Sequence, residues 1–376
     1  MLKFTYNSKG EVIAKGSVLA GQDSYTKQLF ESLEKSLQSN PSLRAEALDM
    51  YKALDTQSAV DGGNLVDTIL YRGIMERVRL FGNVAPEFRD LQMPSAIYEL
   101  PIELADATVY ITPENTTVAN QTAYSSTNPT FGKSTLAARK FTGRSHVSGE
   151  IVEDSVIDII SYVVDNHAKA IAQGLDTAIL DGDSAGTQDS DIIAGRDVKV
   201  AFDGLRKLAL ASAGLIVAGG GTSATLASVL TAKGVLGKYA VGAEASNLRL
   251  ICSPRTYAQY EALAYAASNA NQSAFAFRDG VLVSIAGVPI IVSELVRNDL
   301  TANGVFTGTG ALSYALLVNV SRFVTGTRSQ ISFESDRRAL NDQTELFSRI
   351  RKGFTGIGAP ASGTNPTVAI IRNISA

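Results

Sequence analysis

The apolar stripe of one long helix constrains the fold more than any other feature of this sequence. From Asp154 to Leu180, apolar side chains recur at the spacing of one helix face. The stripe consists of Val156, Ile160, Val163, Val164, His167, Ile171, Leu175 and Ile179. Asp154 or Ser155 is the predicted N-cap, and Gly182 stands where a helix favours glycine at its end. At 1.5 Å per residue the helix is about 40 Å long, which suits a spine across a flat molecule.

Extended segments precede this helix. We predict strands at 107–112 and 136–147, and the segment between them, 113–133, is full of Asn, Thr and Ser. This pattern predicts one long hairpin with a polar tip. A two-stranded ribbon is marginally stable in water by itself, so its natural support would be a neighbouring subunit.

The rest of the chain mixes short helices with strands. The predicted helices lie at 25–37 and 43–54 within a polar N-terminal segment, 1–61, and then at 197–213, 222–232 and 254–267. The predicted strands are 248–252, 281–285, 288–292, 316–324, 329–334 and 367–372, with a turn near Arg328. The two N-terminal helices are too short to bury both faces alone and must pack on something.

Composition excludes several classes of protein. The chain has 376 residues, of which 45% are hydrophobic and 19% charged, so it can bury a sizeable core. Its net charge of -3 is unlike the basic surplus of a free-standing nucleic-acid binder. The single cysteine, Cys252, excludes an internal disulfide and is predicted to be a buried strand thiol. No apolar run reaches the roughly 20 residues of a membrane span, which indicates a soluble cytosolic protein.

The sequence offers little material for catalysis. There are two histidines, and His167 shares the helix stripe, so we predict a core histidine there. The sequence GKS at 132–134 resembles the end of a phosphate-binding loop, but Thr127 stands where that loop needs glycine. The glycines at 219–221 are predicted to form a flexible loop, and the aspartates between 181 and 191 a solvated turn. We therefore predict no catalytic, cofactor or metal site.

Several motifs, taken in order, resemble the major capsid proteins of tailed bacteriophages. The resemblance runs from about residue 62 to the C-terminus and rests on order and spacing. The matching motifs are GGNLV at 62–66, NPTFGK at 128–133, EIVEDS at 150–155, LDTAILDGD at 175–183, SPRTY at 253–257, GVPI at 287–290 and TVAII at 367–371.

The resemblance implies an α+β fold of the Hong Kong 97 type. Such a fold has a peripheral domain with a long spine helix and β-strands, an axial α/β domain, an extended β-hairpin loop and an N-terminal arm. The implied segments are 1–61 (helical N-terminal segment, scaffold-like or an extended arm), 62–92 (N-terminal arm and start of the peripheral domain), 93–147 (extended hairpin loop), 148–195 (spine helix), 196–315 (axial domain), 316–352 (peripheral strands) and 353–376 (C-terminal return to the axial domain).

The resemblance also implies a structural function. The chain would self-assemble as pentamers and hexamers into the icosahedral head of a tailed phage and enclose double-stranded DNA. Implied partners are further copies of itself, the portal protein, a possible scaffold, protease or decoration protein, and packaged DNA through weak non-specific contacts. The chain would be a virion protein assembled in the host cytoplasm, without a membrane.

Six side chains are candidates for contacts between subunits: Arg72, Arg77, Phe131, Lys133, Arg139 and Arg144. Some members of the family join a loop lysine to an asparagine of a neighbour. Lys133 falls at the lysine's place, but Gln343 stands where asparagine is expected, so we predict no cross-link. Two alternatives stay open: an encapsulin-type compartment, which shares the fold and would be revealed by a cargo gene or peptide, and an enzyme on an unrelated fold.

Overall fold

The chain divides into two compact units, Met1–Ile74 and Met75–Ala376. The computed structural model describes residues 4–6, 12–14, 82–112, 114, 124–155, 158–193, 195–267, 272–358 and 366–375. In the first unit, β1 (Phe4–Tyr6) and β2 (Val12–Ala14) pair antiparallel, within the segment that the sequence predicted to be mostly helical. The helices predicted at 25–37 and 43–54 lie outside the described residues, as do Arg72 and Arg77.

The second unit contains five α-helices and thirteen strands in its described part. The strands are β3 (Arg89–Gln92), β4 (Ile97–Ala105), β5 (Thr130–Ala137), β6 (Arg139–Ser148), β7 (Ile216–Thr222), β8 (Leu248–Cys252), β9 (Phe275–Arg278), β10 (Val281–Ile285), β11 (Val288–Val292), β12 (Leu312–Asn319), β13 (Phe323–Arg338), β14 (Gln343–Gly356) and β15 (Val368–Ser375). The helices are α1 (Gly149–Asp154), α2 (Ile159–Asp181), α3 (Leu205–Leu210), α4 (Leu226–Leu236) and α5 (Pro254–Ala266).

A seven-stranded sheet carries most of the core. Its order is β7-β15-β12-β8-β11-β10-β9, with parallel pairing between β7 and β15 and between β8 and β11. The central strands are buried on both faces: Leu316 packs into one apolar cluster, and its neighbour Leu317 packs into another on the opposite face. Strands covered on both sides are rich in apolar residues, which is why β8 was predictable.

Two capped helices pack on one face of this sheet. α5 begins at Ser253, whose hydroxyl accepts the backbone N–H of Thr256 at 3.2 Å, and Pro254 occupies its first turn. α4 begins at Thr225, which accepts the N–H of Ser228 at 3.2 Å. Both helices contribute to the same buried cluster as Leu317.

A second sheet has the order β3-β13-β14-β6. Its long strands β13 and β14 contribute Phe323 and Phe354, whose rings stack with centroids 5.6 Å apart in the core shared with the first sheet. α2 packs on β6 and β14. Asp158 caps α2 by accepting the N–H of Ser161 at 3.2 Å.

β4 and β5 form a separate two-stranded ribbon. Their register runs from the Ile97–Ala137 pair to the Ala105–Thr130 pair, and neither strand is hydrogen-bonded into another sheet.

Several predicted elements were misplaced. The helix predicted from Asp154 is two helices, because Ser155 has an extended backbone and ends α1, so it is not an N-cap. The strand predicted at 107–112 is wrong: the pairing strand is β4, and 107–112 carries no strand. The predicted strand 136–147 is divided between β5 and β6, and β6 pairs with β14 instead of continuing the hairpin.

Two predictions for the chain after α2 also need correction. Arg328 is not at a turn, because β13 continues through it with only a local irregularity in its pairing with β14. The chain turns instead at the short 3-10 segment Val320–Arg322. The helix predicted at 197–213 is reduced to a 3-10 turn and α3. Gly204 has an extended backbone directly before α3, so no helix runs through it. A Cβ there would lie 2.5 Å from the backbone nitrogen of Gly182, so the position requires glycine.

Candidate functional site

The ribbon presents large apolar side chains to solvent. Phe131 is 72% exposed, and Val109, Ile111 and Tyr124 near its far end are almost fully exposed. The only ion pair of the ribbon among the described residues joins Lys133 Nζ to Glu99 Oε1 at 2.7 Å on its surface. Several large exposed apolar side chains on one element indicate a surface that contacts other molecules.

The root of the ribbon is fixed tightly to the four-stranded sheet. Leu136 is fully buried there, and a Cβ on Gly326 would lie 2.5 Å from its side chain. The hydroxyl of Ser134 donates to the carbonyl oxygen of Gly356 at 2.6 Å. The glycine lets β13 approach the ribbon closely, so the ribbon leaves the body from a rigid base.

Two of the predicted contact residues meet at a cleft beside this root. Lys133 and Arg139 line a cavity of about 390 Å³ together with Asp203. Arg139 donates through Nε to the carbonyl oxygen of Ala201 at 3.2 Å. Phe131 and Arg144 do not line this cavity, so the four described candidates do not form one cluster.

Arg144 belongs to a charged group on β6 and its neighbours. Its guanidinium donates to Glu345 Oε1 at 2.8 Å and lies 5.6 Å from the ring of Phe347. Glu345 is 1% exposed and also forms an ion pair with Arg338, whose Nε lies 2.6 Å from Oε1. The hydrogen bond from Arg144 and the nearby positive charges lower the pKa of Glu345.

The aspartates after α2 are not the solvated turn that the sequence predicted. Arg206, fully buried on α3, donates to Asp181 Oδ1 at 2.6 Å and to both carboxylate oxygens of Asp189. Tyr314 of β12 donates its hydroxyl to Asp181 at 2.7 Å. Burial alone would lower the pKa of Arg206, but the two carboxylates raise it, so the guanidinium stays charged.

A second set of ion pairs surrounds this centre. Arg297 holds Asp299 in a two-point contact at 2.8 and 2.7 Å, reaches Asp191 at 2.8 Å, and lies 4.2 Å from the ring of Phe306. Lys207 pairs with Asp183, whose carboxylate also accepts three backbone N–H groups. Burial opposes ionisation of Asp183, but these hydrogen bonds dominate and lower its pKa to about 2.

Together the two sets tie the end of α2 to α3 and to the seven-stranded sheet. Sequence reasoning missed them because Arg206 lies 25 residues from Asp181 along the chain. The available signal was the density of aspartates after an amphipathic helix, followed by a basic pair at 206 and 207.

The other motifs singled out in the sequence lie in strands or in the core. Cys252 is buried in β8, as predicted, and burial raises the pKa of its thiol to about 12. His167 is also buried, with Nε2 2.6 Å from the hydroxyl of Ser145. The sequence GKS at 132–134 lies inside β5, not before a helix. The glycines at 219–221 end β7, so the predicted loop is wrong there.

No helix in the described part of the second unit is long and apolar enough to cross a membrane. Among the residues that the structure describes, no three His, Cys, Asp or Glu side chains are grouped so that they could hold a metal ion.

The sequence matches the phage capsid family over residues 62–357. No curated protein matches it.

Solved structures share the fold over most of their length. A chain of Microbacterium phage Oxtober96 is 16% identical, with a TM-score of 0.62 over 84% of this chain and 99% of that one. A chain of Mycobacterium phage Cain is 20% identical, with a TM-score of 0.59 over 84% and 97%. The capsid of an empty GTA particle is 16% identical, with a TM-score of 0.55 over 86% and 100%. These similarities confirm the predicted α+β capsid fold of the Hong Kong 97 type.

Proposed function

Because the chain belongs to the phage capsid family, we propose that it is the major capsid protein whose copies close, as pentamers and hexamers, into the icosahedral head of a tailed phage. The observation that carries this function is the family match over 62–357, accompanied by a fold that covers nearly the whole length of solved phage chains. A subunit of this kind acts by binding copies of itself, so we propose no enzymatic activity and no cofactor.

Each segment implied by the resemblance is proposed to belong to one of two domains. We propose that the axial domain, 196–315, holds the strands and helices that meet around the symmetry axes. The peripheral domain would comprise the spine helix segment 148–195 and the strands of 316–352. Residues 353–376 would return the chain to the axial domain. The separation of the seven-stranded sheet from the four-stranded sheet supports this division, because each sheet gives one part a rigid frame. The ion pairs around Arg206 would join the two parts.

The ribbon within 93–147 is proposed to contact a neighbouring subunit. Its exposed apolar side chains, Phe131 among them, and the exposed Lys133 support this role. Arg139 and Arg144 would add contacts at its base and on β6, while Arg72 and Arg77 are proposed to act in the N-terminal arm. A head-to-tail contact that closes produces rings, which is what pentamers and hexamers require.

The remaining partners follow from the family. We propose contacts with a portal protein and with a scaffold, protease or decoration protein, and weak non-specific contact with packaged double-stranded DNA. The protein would be a component of the virion, assembled in the host cytoplasm. Residues 1–61 would act as a scaffold-like segment or as an enlarged arm.

The test is deletion of the ribbon tip. Removing residues 115–128 and joining the ends through a short glycine linker leaves Leu136 and the root intact. We expect a folded subunit, by circular dichroism and thermal melting, that sediments slowly and forms no stable shells. Normal shells from this variant would contradict the proposed role of the ribbon, and the absence of shells from the intact protein would contradict the function itself.

A further inference from the structure

Two glycines lie directly opposite each other in the four-stranded sheet, where β13 pairs with β14. Gly326 is the register partner of Gly353, so side chains at these two positions would point to the same face of the sheet. Both residues are buried, and neither has a positive φ. Because other residues can adopt the same backbone conformation, the two positions require glycine for space and not for conformational freedom.

One side chain from the root of the ribbon fills this space. A Cβ on Gly326 would lie 2.5 Å from Cδ2 of Leu136, and a Cβ on Gly353 would lie 3.2 Å from Cδ1 of the same side chain. Leu136 is fully buried. Each of its methyl groups therefore occupies the place that a side chain would take at one of the two glycines. The contact of Leu136 with Gly326 and Gly353 is the glycine seat of the ribbon.

Both chain segments that join the ribbon to the body pass the glycine seat. Met93, which leads into β4, is 2% exposed, and its Sδ would lie 2.6 Å from a Cβ on Gly326. The backbone N–H of Met93 donates to the carbonyl oxygen of Thr327 at 2.9 Å. On the other side, the carbonyl oxygen of Ala137 would lie 2.6 Å from a Cβ on Gly353. Both ends of the ribbon are therefore packed against the glycine pair.

The glycine pair has a cost in stability that the sheet itself does not explain. Glycine in a strand loses more conformational entropy on folding than other residues and has no side chain to pack. The pairing of β13 with β14 is regular at Gly326 and Gly353, and its register shifts only beyond Thr327. Neither glycine is therefore needed for a bulge, and what the pair provides is the close approach of the ribbon root to the sheet.

The ribbon amplifies any shift at the glycine seat. β4 and β5 are not hydrogen-bonded into another sheet, so contacts at the root set the angle of the ribbon. The hydrogen bond from Ser134 to Gly356 is a second fixed point, two residues or about 7 Å from Leu136. A methyl group on Gly326 would have to move Leu136 from 2.5 Å to the usual contact distance of about 3.5–4.0 Å.

The size of the resulting tilt follows from these lengths. A displacement of about 1 Å at Leu136, on a lever of about 7 Å to Ser134, rotates the ribbon by roughly 10°. Thr130 lies four residues beyond Ser134, about 13 Å away, so it moves by about 2 Å. Residues still further along the ribbon move by more. One added methyl group is thus enough to change where the ribbon meets another molecule.

We propose that the glycine seat fixes the angle at which the ribbon leaves the body, and that this angle sets the diameter of the closed shell. Gly326, Gly353 and Leu136 are positioning residues, because all three are buried within their own subunit. The inference rests on the proposed function, since a ribbon that contacts a neighbour transmits its tilt to that neighbour. A repeated head-to-tail contact closes only at a matching angle, so a changed tilt changes the curvature of the assembly.

The first measurement is the tilt of the ribbon in the unassembled subunit. Spin labels on Thr130→Cys and on a body position, Glu150→Cys or Ala262→Cys, report the distance between the ribbon and the body by double electron–electron resonance. All three positions are exposed, whereas the native Cys252 is buried in β8 and out of reach of the label. Two body positions are used so that a tilt in any direction changes at least one of the two distances.

The two glycine variants should tilt the ribbon, and a third glycine provides the control. We expect Gly326→Ala and Gly353→Ala each to shift at least one mean distance by about 2 Å. Gly356→Ala is the matched control on β14, because a Cβ there has its nearest neighbour at 3.5 Å, an ordinary contact. Its distances should equal those of the wild type. Wild-type distances in both Gly326→Ala and Gly353→Ala would overturn the inference.

Changes at Leu136 test the other half of the glycine seat. Adding Leu136→Ala to Gly326→Ala removes the side-chain atoms that the new methyl group would meet, so the distances should return towards those of the wild type. Leu136→Ala alone empties the seat and should broaden the distance distribution. This variant decides the question even if a glycine variant does not fold, because a distribution as narrow as that of the wild type would overturn the inference.

The second measurement is the diameter of the shells, by electron microscopy. We expect Gly326→Ala and Gly353→Ala to form shells of altered or mixed diameter, and Gly356→Ala to form shells of wild-type diameter. Wild-type diameters from a variant whose ribbon distance has shifted would overturn the connection between tilt and curvature. If the wild-type protein itself forms no shells, the proposed function fails, and the ribbon distances of the unassembled subunit still show whether the seat fixes the angle.

Discussion

Replacement of Arg206 by methionine tests the buried ion pairs most severely. Methionine keeps most of the side-chain volume but leaves Asp181 and Asp189 buried without the guanidinium that binds both. Asp181 would keep only the hydroxyl of Tyr314 as a described side-chain partner, at 2.7 Å. Removing one partner of a buried ion pair costs about 3–5 kcal/mol, because the remaining charge is uncompensated. We therefore expect the free energy of unfolding to fall by about this amount.

The assay is denaturant or thermal unfolding of the unassembled subunit, followed by circular dichroism. A loss of that size lowers the melting temperature by on the order of 10 °C in a protein of this length. Arg337→Met is the matched control, because the Arg337–Asp342 pair is 2.8 Å long but 64% and 57% exposed. Exposed pairs contribute at most about 1 kcal/mol. If Arg206→Met loses no more free energy of unfolding than Arg337→Met does, Asp181 and Asp189 are hydrated and the reasoning is wrong.

Three further changes test other parts of the account. Hydrogen bonds lower the pKa of Asp183 and the pKa of Glu244 to about 2 each. The stability that these two carboxylates contribute should therefore be present above about pH 4.5 and lost as the pH falls towards 2. Acid unfolding followed by fluorescence measures this loss, and a stability independent of pH in that window would contradict the prediction. Ile171→Asp puts an unpaired charge on the buried stripe of α2 and should yield insoluble or unassembled protein, whereas soluble shells at wild-type yield would show that the stripe is not buried. Boiled shells should run as chains of about 39.7 kDa or a trimmed form, and a high-mass ladder that disappears in Lys133→Ala would show that the prediction of no cross-link is wrong.

Local signals made part of the fold predictable. The Ser253–Pro254 start of α5 combines an N-cap with a first-turn proline, and β8 before it is an apolar run interrupted only by Arg249. Both features are encoded within a few neighbouring residues, so they need no knowledge of distant contacts. The strands β10 and β11 are of the same kind, because a tight turn with Gly287 joins two short apolar runs.

The misplaced elements depend on partners far away in the sequence. The alternation at 107–112 is as suitable for a strand as that of β4, but only β4 has a partner strand, β5. The aspartates after α2 were predicted to be solvated because the sequence does not reveal that Arg206 and Tyr314 both donate hydrogen bonds to Asp181. The ion pair of Arg144 with Glu345 depends on the register of β6 with β14, which joins residues 201 positions apart.

Electron cryo-microscopy of the assembled protein tests the central claim most directly. The account predicts closed icosahedral shells in which five or six copies surround each symmetry axis and the ribbon of every subunit lies on its neighbour. Shells that enclose DNA in phage lysates would identify the phage head, whereas shells that enclose a protein cargo would indicate an encapsulin-type compartment. Particles without closed shells, from protein that is folded and soluble, would contradict the account.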